Sequence, residues 1–305
     1  MRTKGAKLVW FDGNFVNWEE AKVPVMTHAL HYGTSVFEGI RAYSTDNNLF
    51  IFRLKDHMDR LHKSASIYSI SVQYSSDELC TATVELIKNV SIRASCYIRP
   101  LTFIGQHGID LNVTKDSPTH TTIIIFPFDK YFKGEGISAC VSSWRRIDDE
   151  SMPPLAKAAG NYLNSVLATQ ESRRLGFDES ILLDRAGNVS EASGENIFLV
   201  RNGMIYTPQT SDSILEGITR HTTITIAREM GYDFVERPIA RTELYLADEV
   251  FLTGTAAEII AVTKIDGHIV GLGKEGVVTR SIREKYEKVV SGKIKKYTDW
   301  LTPVW

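Results

Sequence analysis

Two short apolar runs within Leu8–Val16 flank Asp12-Gly13-Asn14. An Asp-Gly pair supplies the backbone angles of a tight turn, so the pattern predicts a hairpin there. A further strand is expected at Leu49–Phe52. From Leu54 to Tyr68 the period changes: Leu54, Met58, Leu61 and Ala65 recur at helical spacing with charged residues between them. That is one buried helical face, and it places Arg60 on a helix. Cys96–Phe103 and Thr121–Phe126 are β-branched and aromatic, as strands require. These elements make a first α+β domain over 1–128, and the polar, glycine-containing stretch 129–136 is expected to link it to a larger domain over 137–305.

In that second half, Ile137–Trp144 has strand character and Tyr162–Gly176 reads as a helix closed by its final glycine. Ser180–Asp184 and Asn188–Ala192 flank Arg185-Ala186-Gly187, and Asn196–Val200 and Met204–Thr207 flank Asn202-Gly203, so two hairpins are expected in succession. A helix over Gly217–Met230 stops at Gly231, strands over Glu249–Thr253 and Ile259–Thr263 meet at Gly254-Thr255-Ala256, and an amphipathic segment over Thr279–Val290 follows.

Composition changes this picture little. A chain of 305 residues exceeds the size at which single cores stop growing, which favours two domains and a ligand cleft. Thirty-five basic against 37 acidic residues, with no long run of either sign, give nucleic acid nothing to bind. No apolar stretch is long enough to span a bilayer, and Met1–Lys7 lacks the apolar segment of a secretory signal, so no membrane partner and a cytoplasmic location are expected. Cys80, Cys96 and Cys140 lie far apart, without histidines at metal-ligand spacing; they read as reduced thiols, and no metal is expected.

Four segments carry candidate chemistry. Lys157 stands in Pro153-Pro-Leu-Ala-Lys-Ala-Ala-Gly-Asn-Tyr162. Small and apolar neighbours favour a neutral amine, which can attack an aldehyde. Glu191, in Val189-Ser-Glu-Ala-Ser-Gly-Glu-Asn196, offers a carboxylate at a strand end that can keep a pyridine nitrogen protonated. Gly217-Ile-Thr-Arg220 opens a helix, whose first amides favour a phosphate, and Thr253-Gly-Thr-Ala-Ala-Glu258 supplies a turn with hydroxyls. Taken singly, each has a plain alternative: a solvated lysine, a strand-end glutamate in water, a helix cap, a turn.

Together and in this order the segments resemble the class IV pyridoxal-phosphate-dependent aminotransferases, closest to the bacterial branched-chain-amino-acid aminotransferases. The resemblance runs over essentially the whole chain and also rests on His28-Ala-Leu-His-Tyr-Gly-Thr-Ser-Val-Phe-Glu-Gly-Ile-Arg41, His57-Met-Asp-Arg-Leu61 and Tyr97-Ile-Arg-Pro100. It implies a two-domain fold with a smaller N-terminal and a larger C-terminal domain and pyridoxal 5′-phosphate between them, and a homodimer as the minimal active unit, with homohexamers in many bacterial members. It assigns Lys157, Tyr162 and Glu191 to catalysis, and Arg60, Ile218, Thr219 and Thr255 to the phosphate. The implied reaction is a ping-pong transamination between L-leucine, L-isoleucine or L-valine and 2-oxoglutarate, giving the 2-oxo acid and L-glutamate.

One pocket must then accept an aliphatic chain and a carboxylate in turn. Tyr97 and Arg99 are two apart on a strand and share a face, so rings and a guanidinium can serve both. The resemblance assigns the substrate to Tyr32, Phe37, Gly39, Tyr97, Arg99, Tyr131, Thr255, Ala256 and Ala257. Asp110 departs from the pattern, since a glycine is common at its place, and an extra carboxylate there would disfavour anionic substrates or reorient Arg99. The same-fold alternatives are a D-amino-acid transaminase, an (R)-amine transaminase and aminodeoxychorismate lyase. A protein that merely binds the cofactor would not need Lys157, Glu191 and Tyr162 together.

Overall fold

The computed structural model describes residues 7–128, 131–132, 134 and 136–305. Asp129, Lys130, Lys133 and Glu135 of the expected linker lie outside the described residues. The chain divides into two units, Met1–Asp129 with Ala156–Gly160 and Val289–Trp305, and Lys130–Leu155 with Asn161–Lys288. Both mix helices with sheet, as the α+β expectation required.

The first unit contains β1 (Leu8–Phe11), β2 (Asn14–Asn17), α1 (His28–Tyr32), β3 (Ser35–Phe37), β4 (Ile40–Ser44), β5 (Leu49–Phe52), α2 (Leu54–Ile67), α3 (Ser76–Val90), β6 (Cys96–Ile104) and β7 (Thr119–Pro127). Its sheet of eight strands among the described residues runs from a terminal strand, Leu301–Pro303, through β5, β4, β6, β7 and β1 to β2, with β3 also paired to β6. β6 and β7 pair antiparallel from Cys96 opposite Pro127 to Ile104 opposite Thr119. Leu54, Met58, Leu61 and Ala65, the predicted stripe of α2, are all sealed from solvent and pack with Ile40, Ile51, Ile98 and Ile125. α3 was not evident from periodicity, yet it opens on a capping box in which Ser75 and Glu78 satisfy each other's backbone amides.

The second unit contains β8 (Gly136–Arg145), α4 (Tyr162–Arg174), β9 (Glu179–Leu183), β10 (Val189–Ala192), β11 (Asn196–Arg201), β12 (Met204–Thr207), α5 (Ile218–Glu229), β13 (Phe234–Glu236), β14 (Glu249–Gly254), β15 (Glu258–Ile265), β16 (His268–Ile269) and α6 (Val277–Val290). The sheet order is β10-β9-β8-β15-β14-β11-β12-β13, with β16 on β15. β8 is parallel to both β9 and β15, and α4, packed on β8 and β9, makes the crossover that a parallel pair needs. β9 is buried along its whole length, which is why these strands read as apolar runs and not as alternations. Asn202 and Gly203 both take positive φ, 53° and 77°, and close the β11–β12 hairpin as expected. α4 and α5 end in Schellman closures: Phe177 N donates to Ser172 O, and Tyr232 N to Ala227 O.

Leu61 is fully buried at the centre of the α2 stripe. Leu61→Ala is expected to lower unfolding stability by about 2–5 kcal/mol, read from the midpoint of chemical denaturation at unchanged slope.

Candidate active site

Lys157 belongs to the first unit, held by its main chain. Ala156 and Ala158 on either side of it are buried in the core of that unit. The Lys157 amide donates to Ser64 Oγ at 3.0 Å, and its carbonyl accepts from the Phe37 amide at 3.0 Å. With both neighbours anchored, the side chain has one direction in which to project, and Nζ stands 5.1 Å from the centre of the Phe37 ring.

Tyr97 and Arg99 are neighbours, as their spacing predicted, and Phe37 joins them in one cluster. Arg99 Nη2 donates to the Tyr97 hydroxyl at 3.1 Å, and the guanidinium lies 4.5 Å from the Phe37 ring centre. Arg99 Nε is buried without a hydrogen-bond partner among the described residues, a cost that an incoming anion would remove. Gly39 is the floor of this cluster. A Cβ at Gly39 would lie 1.9 Å from the Tyr97 hydroxyl oxygen, so no other residue leaves the ring in place.

Arg60 projects from α2 and is bound to Glu38 through Nε at 2.7 Å and Nη2 at 2.9 Å. His57 Nδ1 stands 2.6 Å from Glu38 Oε2. Because a carboxylate only accepts, the Nδ1 position carries the proton. Burial alone would raise the Glu38 pKa, but the Arg60 charge and the His57 bond hold it well below the usual carboxylate range. Burial pushes His57 down, aided by the Arg60 and Lys157 charges and opposed by Glu38. Neither Glu38 nor His57 was singled out as functional from the sequence, although both lie in the stretches that carry the family likeness.

Tyr32 is exposed at the end of α1, and its hydroxyl donates to Ile109 O at 3.4 Å. His28 Nε2 lies 3.1 Å from Asp110 O, and with its other nitrogen on Thr34 Oγ1 it ties α1 to the loop after β6. The Asp110 carboxylate accepts from the Asn112 amide at 3.0 Å, within its own loop. Arg99 is engaged with Tyr97 instead, so Asp110 does not reorient it.

The second unit carries Glu191 on β10, buried and held by three donors. Arg146 Nη2 reaches Oε1 at 2.8 Å, while Asn196 Nδ2 and the Leu215 amide reach Oε2 at 3.0 and 3.1 Å. Such a set favours the charged form. Asn196 also donates to Leu215 O at 2.8 Å, and a Cβ on Gly217 would lie 2.0 Å from Asn196 Oδ1. Gly217 is also the N-cap of α5 and brings no side chain, so the helix opens at Ile218 and Thr219 without a side-chain cap hydrogen bond. Arg220, in the same motif, is drawn off to Pro208 O and Glu236. Thr255, Ala256 and Ala257 form the turn between β14 and β15. Thr253, opposite Asn196 in the register, has a buried hydroxyl without a partner among the described residues. Tyr162 is the first residue of α4, and Tyr131 is exposed with its ring 4.7 Å from Phe132. Arg146 and Asn196, which hold Glu191, went unassigned in the sequence; only their pairing across the fold identifies them.

A lysine presented by a rigid main chain, a buried charged carboxylate and an uncapped helix start are features of one class of enzyme. Residues 35–265 match the model of the family described as amino-transferase class IV. The chain belongs to that family and is a pyridoxal-phosphate-dependent transaminase. Its relatives within the class are branched-chain-amino-acid aminotransferases: those of Salmonella typhimurium and Escherichia coli are each 46% identical over 100% of this chain and 99% of their own. A branched-chain aminotransferase of the thermophilic archaeon Thermoproteus uzoniensis, solved with norvaline, superposes with a TM-score of 0.96 at 48% identity over 99% of this chain and 100% of its own. The branched-chain amino acid aminotransferase of Thermobaculum terrenum, solved in its pyridoxal-phosphate form, gives 0.93 at 39% identity over 99% of both chains. The residues present fit the cofactor: a charged carboxylate suits a pyridinium, the uncapped α5 start suits a phosphate, and the unpartnered Thr253 hydroxyl leaves a polar atom for a ligand to satisfy.

His57 and Glu38 both protonate less readily folded than unfolded. Their contribution to stability is therefore complete above about 6.5, the ordinary histidine value, and is lost as pH falls through the lower folded values. The thermal midpoint is expected to drop on acidification from neutral pH. His57→Gln, which keeps an N–H for Glu38 but cannot titrate, should flatten the upper limb of that curve and leave the carboxylate limb.

Proposed function

We propose that this enzyme transfers the amino group of L-leucine, L-isoleucine or L-valine to 2-oxoglutarate, with Lys157 as the residue that anchors pyridoxal phosphate. The observation that carries the substrate reading is the Phe37–Tyr97–Arg99 cluster, which sets an aromatic wall beside a guanidinium with an unpartnered buried donor. An aliphatic side chain gains from the rings, and the second carboxylate of 2-oxoglutarate or L-glutamate gains from Arg99. Full-length relatives are branched-chain-amino-acid aminotransferases. The D-amino-acid, (R)-amine and aminodeoxychorismate alternatives have no comparable observation behind them.

When bound, pyridoxal phosphate supplies an electrophilic carbon and a ring that withdraws electrons from the substrate α-carbon. Glu191, kept charged by Arg146, Asn196 and the Leu215 amide, holds the proton on the ring nitrogen. Tyr162 donates to the phenolic oxygen. The α5 amides at Ile218 and Thr219, the Thr255 hydroxyl and Arg60 hold the phosphate. With the cofactor bound, the Lys157 amine would serve as the base that takes and returns the substrate α-proton. Gly39 lets the Tyr97 hydroxyl lie against its backbone, and Tyr32, Tyr131, Ala256 and Ala257 would complete the substrate wall.

A homodimer or larger homo-oligomer is the proposed assembly, supported by exposed Leu30, Tyr32, Ile109 and Leu111 on α1 and its tethered loop, and by exposed Leu163, Val166 and Leu167 on α4. No described helix is long and apolar enough to cross a membrane. The cytoplasm is the proposed location, in keeping with three unpaired thiols, of which Cys96 is pushed up to about 12 by burial.

The visible absorption band of the bound cofactor tests this directly. It should bleach with L-leucine and, separately, with L-glutamate, and Lys157→Ala should lose both responses. Bleaching by D-alanine or an (R)-amine alone would overturn the substrate assignment. Arg99→Leu is expected to raise the KM for 2-oxoglutarate roughly ten- to hundredfold while leaving that for L-leucine nearly unchanged, read from steady-state rates.

A further inference from the structure

Glu38 has no assigned part in the reaction, yet it touches two residues that do. It stands between Phe37 and Gly39 in the chain and is fully buried. Oε1 accepts from Arg60 Nε, and Oε2 accepts from Arg60 Nη2, from His57 Nδ1 and, at 3.3 Å, from the Gly39 amide. Its own amide donates to Pro100 O at 2.9 Å, which fixes the backbone from which the carboxylate projects. His57 and Arg60 are three apart on α2 and so present their donors side by side.

A carboxylate in this position does more to Arg60 than balance its charge. A guanidinium is a planar fork, and two bonds to one carboxylate fix both its position and its plane. The Nε–Nη2 edge is committed to Glu38, so any contact of Arg60 with a further anion comes from the opposite side of the group, in an orientation set by Glu38. Freed of that fork, an arginine side chain would spread over several rotamers and lose entropy on binding.

We propose that Glu38 is a positioning residue for cofactor retention: through its two-bond fork it aims the Arg60 guanidinium at the phosphate of pyridoxal phosphate. The inference rests on the reading of Arg60 as a phosphate ligand, and its test separates the two. A residue that only bolts α2 to the β3–β4 turn would weaken every ligand alike; one that aims Arg60 weakens only those that carry phosphate.

The measurement is equilibrium binding of pyridoxal phosphate, and of pyridoxal without the phosphate, to the full-length protein stripped of cofactor. Glu38→Gln is expected to reduce the preference for the phosphorylated ligand roughly ten- to hundredfold, with pyridoxal affinity unchanged. In an Arg60→Met background the same substitution should reduce the preference no further, because Glu38 acts through Arg60. Should Glu38→Gln fail to fold, Glu38→Asp keeps the charge and withdraws the carboxylate by one methylene, and a reduced preference is again expected. Equal weakening of both ligands, an unchanged preference in the folded variant, or a further loss in the Arg60→Met background would each overturn the proposal. An unchanged preference in Arg60→Met itself would overturn the reading of Arg60 instead.

Discussion

An ionised carboxylate taken out of water costs several kcal/mol unless donors replace its hydration, and each unit of this chain is built around one such group. In the first, Glu38 gathers four donor contacts from α2 and from its own turn. In the second, Glu191 gathers Arg146 from beyond β8, Asn196 from β11 and the amide of Leu215 that precedes α5. Apart from the Gly39 amide and Asn196, the donors come from far along the chain. Each carboxylate therefore holds together segments that the hydrophobic core alone would leave free to shift, and residues flanking those segments are the ones to which the chemistry is assigned. Phe37 and Gly39 flank Glu38, and Gly217 with the start of α5 follows Leu215.

Close approach is the second constraint, and it follows from the first. Once Asn196 is turned toward Glu191 and Leu215, its Oδ1 occupies the space that a side chain at position 217 would need. Once Glu38 has taken the Gly39 amide, the backbone there runs directly beneath the Tyr97 hydroxyl. Both glycines are required by contact and not by backbone angle. A helix start without a side-chain cap, at Gly217, and a tyrosine hydroxyl lying against bare backbone, at Gly39, accompany the packing of donors around buried charge.

Much of this architecture was legible along the chain, and the reason lies in which interactions are local. The β1–β2 and β11–β12 hairpins and the buried stripe of α2 depend on residues within a few positions of one another, and turn chemistry and periodicity reveal them. The Ser75–Glu78 box of α3 and the Asp266-Gly267 turn into β16 carry equally local signals. β3 and β4 are short and buried on both faces, so they show no alternation to read. The candidate site was proposed from its motifs taken together. Lys157, Glu191, Tyr97 and Arg99 were singled out by that company, whereas Glu38 with Arg60, and Glu191 with Arg146, are pairs 22 and 45 positions apart that only the fold brings together.

Asp110 shows how backbone geometry limits what a charge can do. As a residue type it threatened to repel the second carboxylate of a dicarboxylic substrate or to capture Arg99. In the fold its Oδ1 is spent on the Asn112 amide, its carbonyl on His28, and the side chain is exposed to water, where screening weakens its field. Arg99 keeps Tyr97 as its partner and its buried Nε unsatisfied. On the proposed reading, a preference for a dicarboxylate rests with Arg99 and the rings around it, and a substitution in the loop reaches that preference only if it releases the loop from His28.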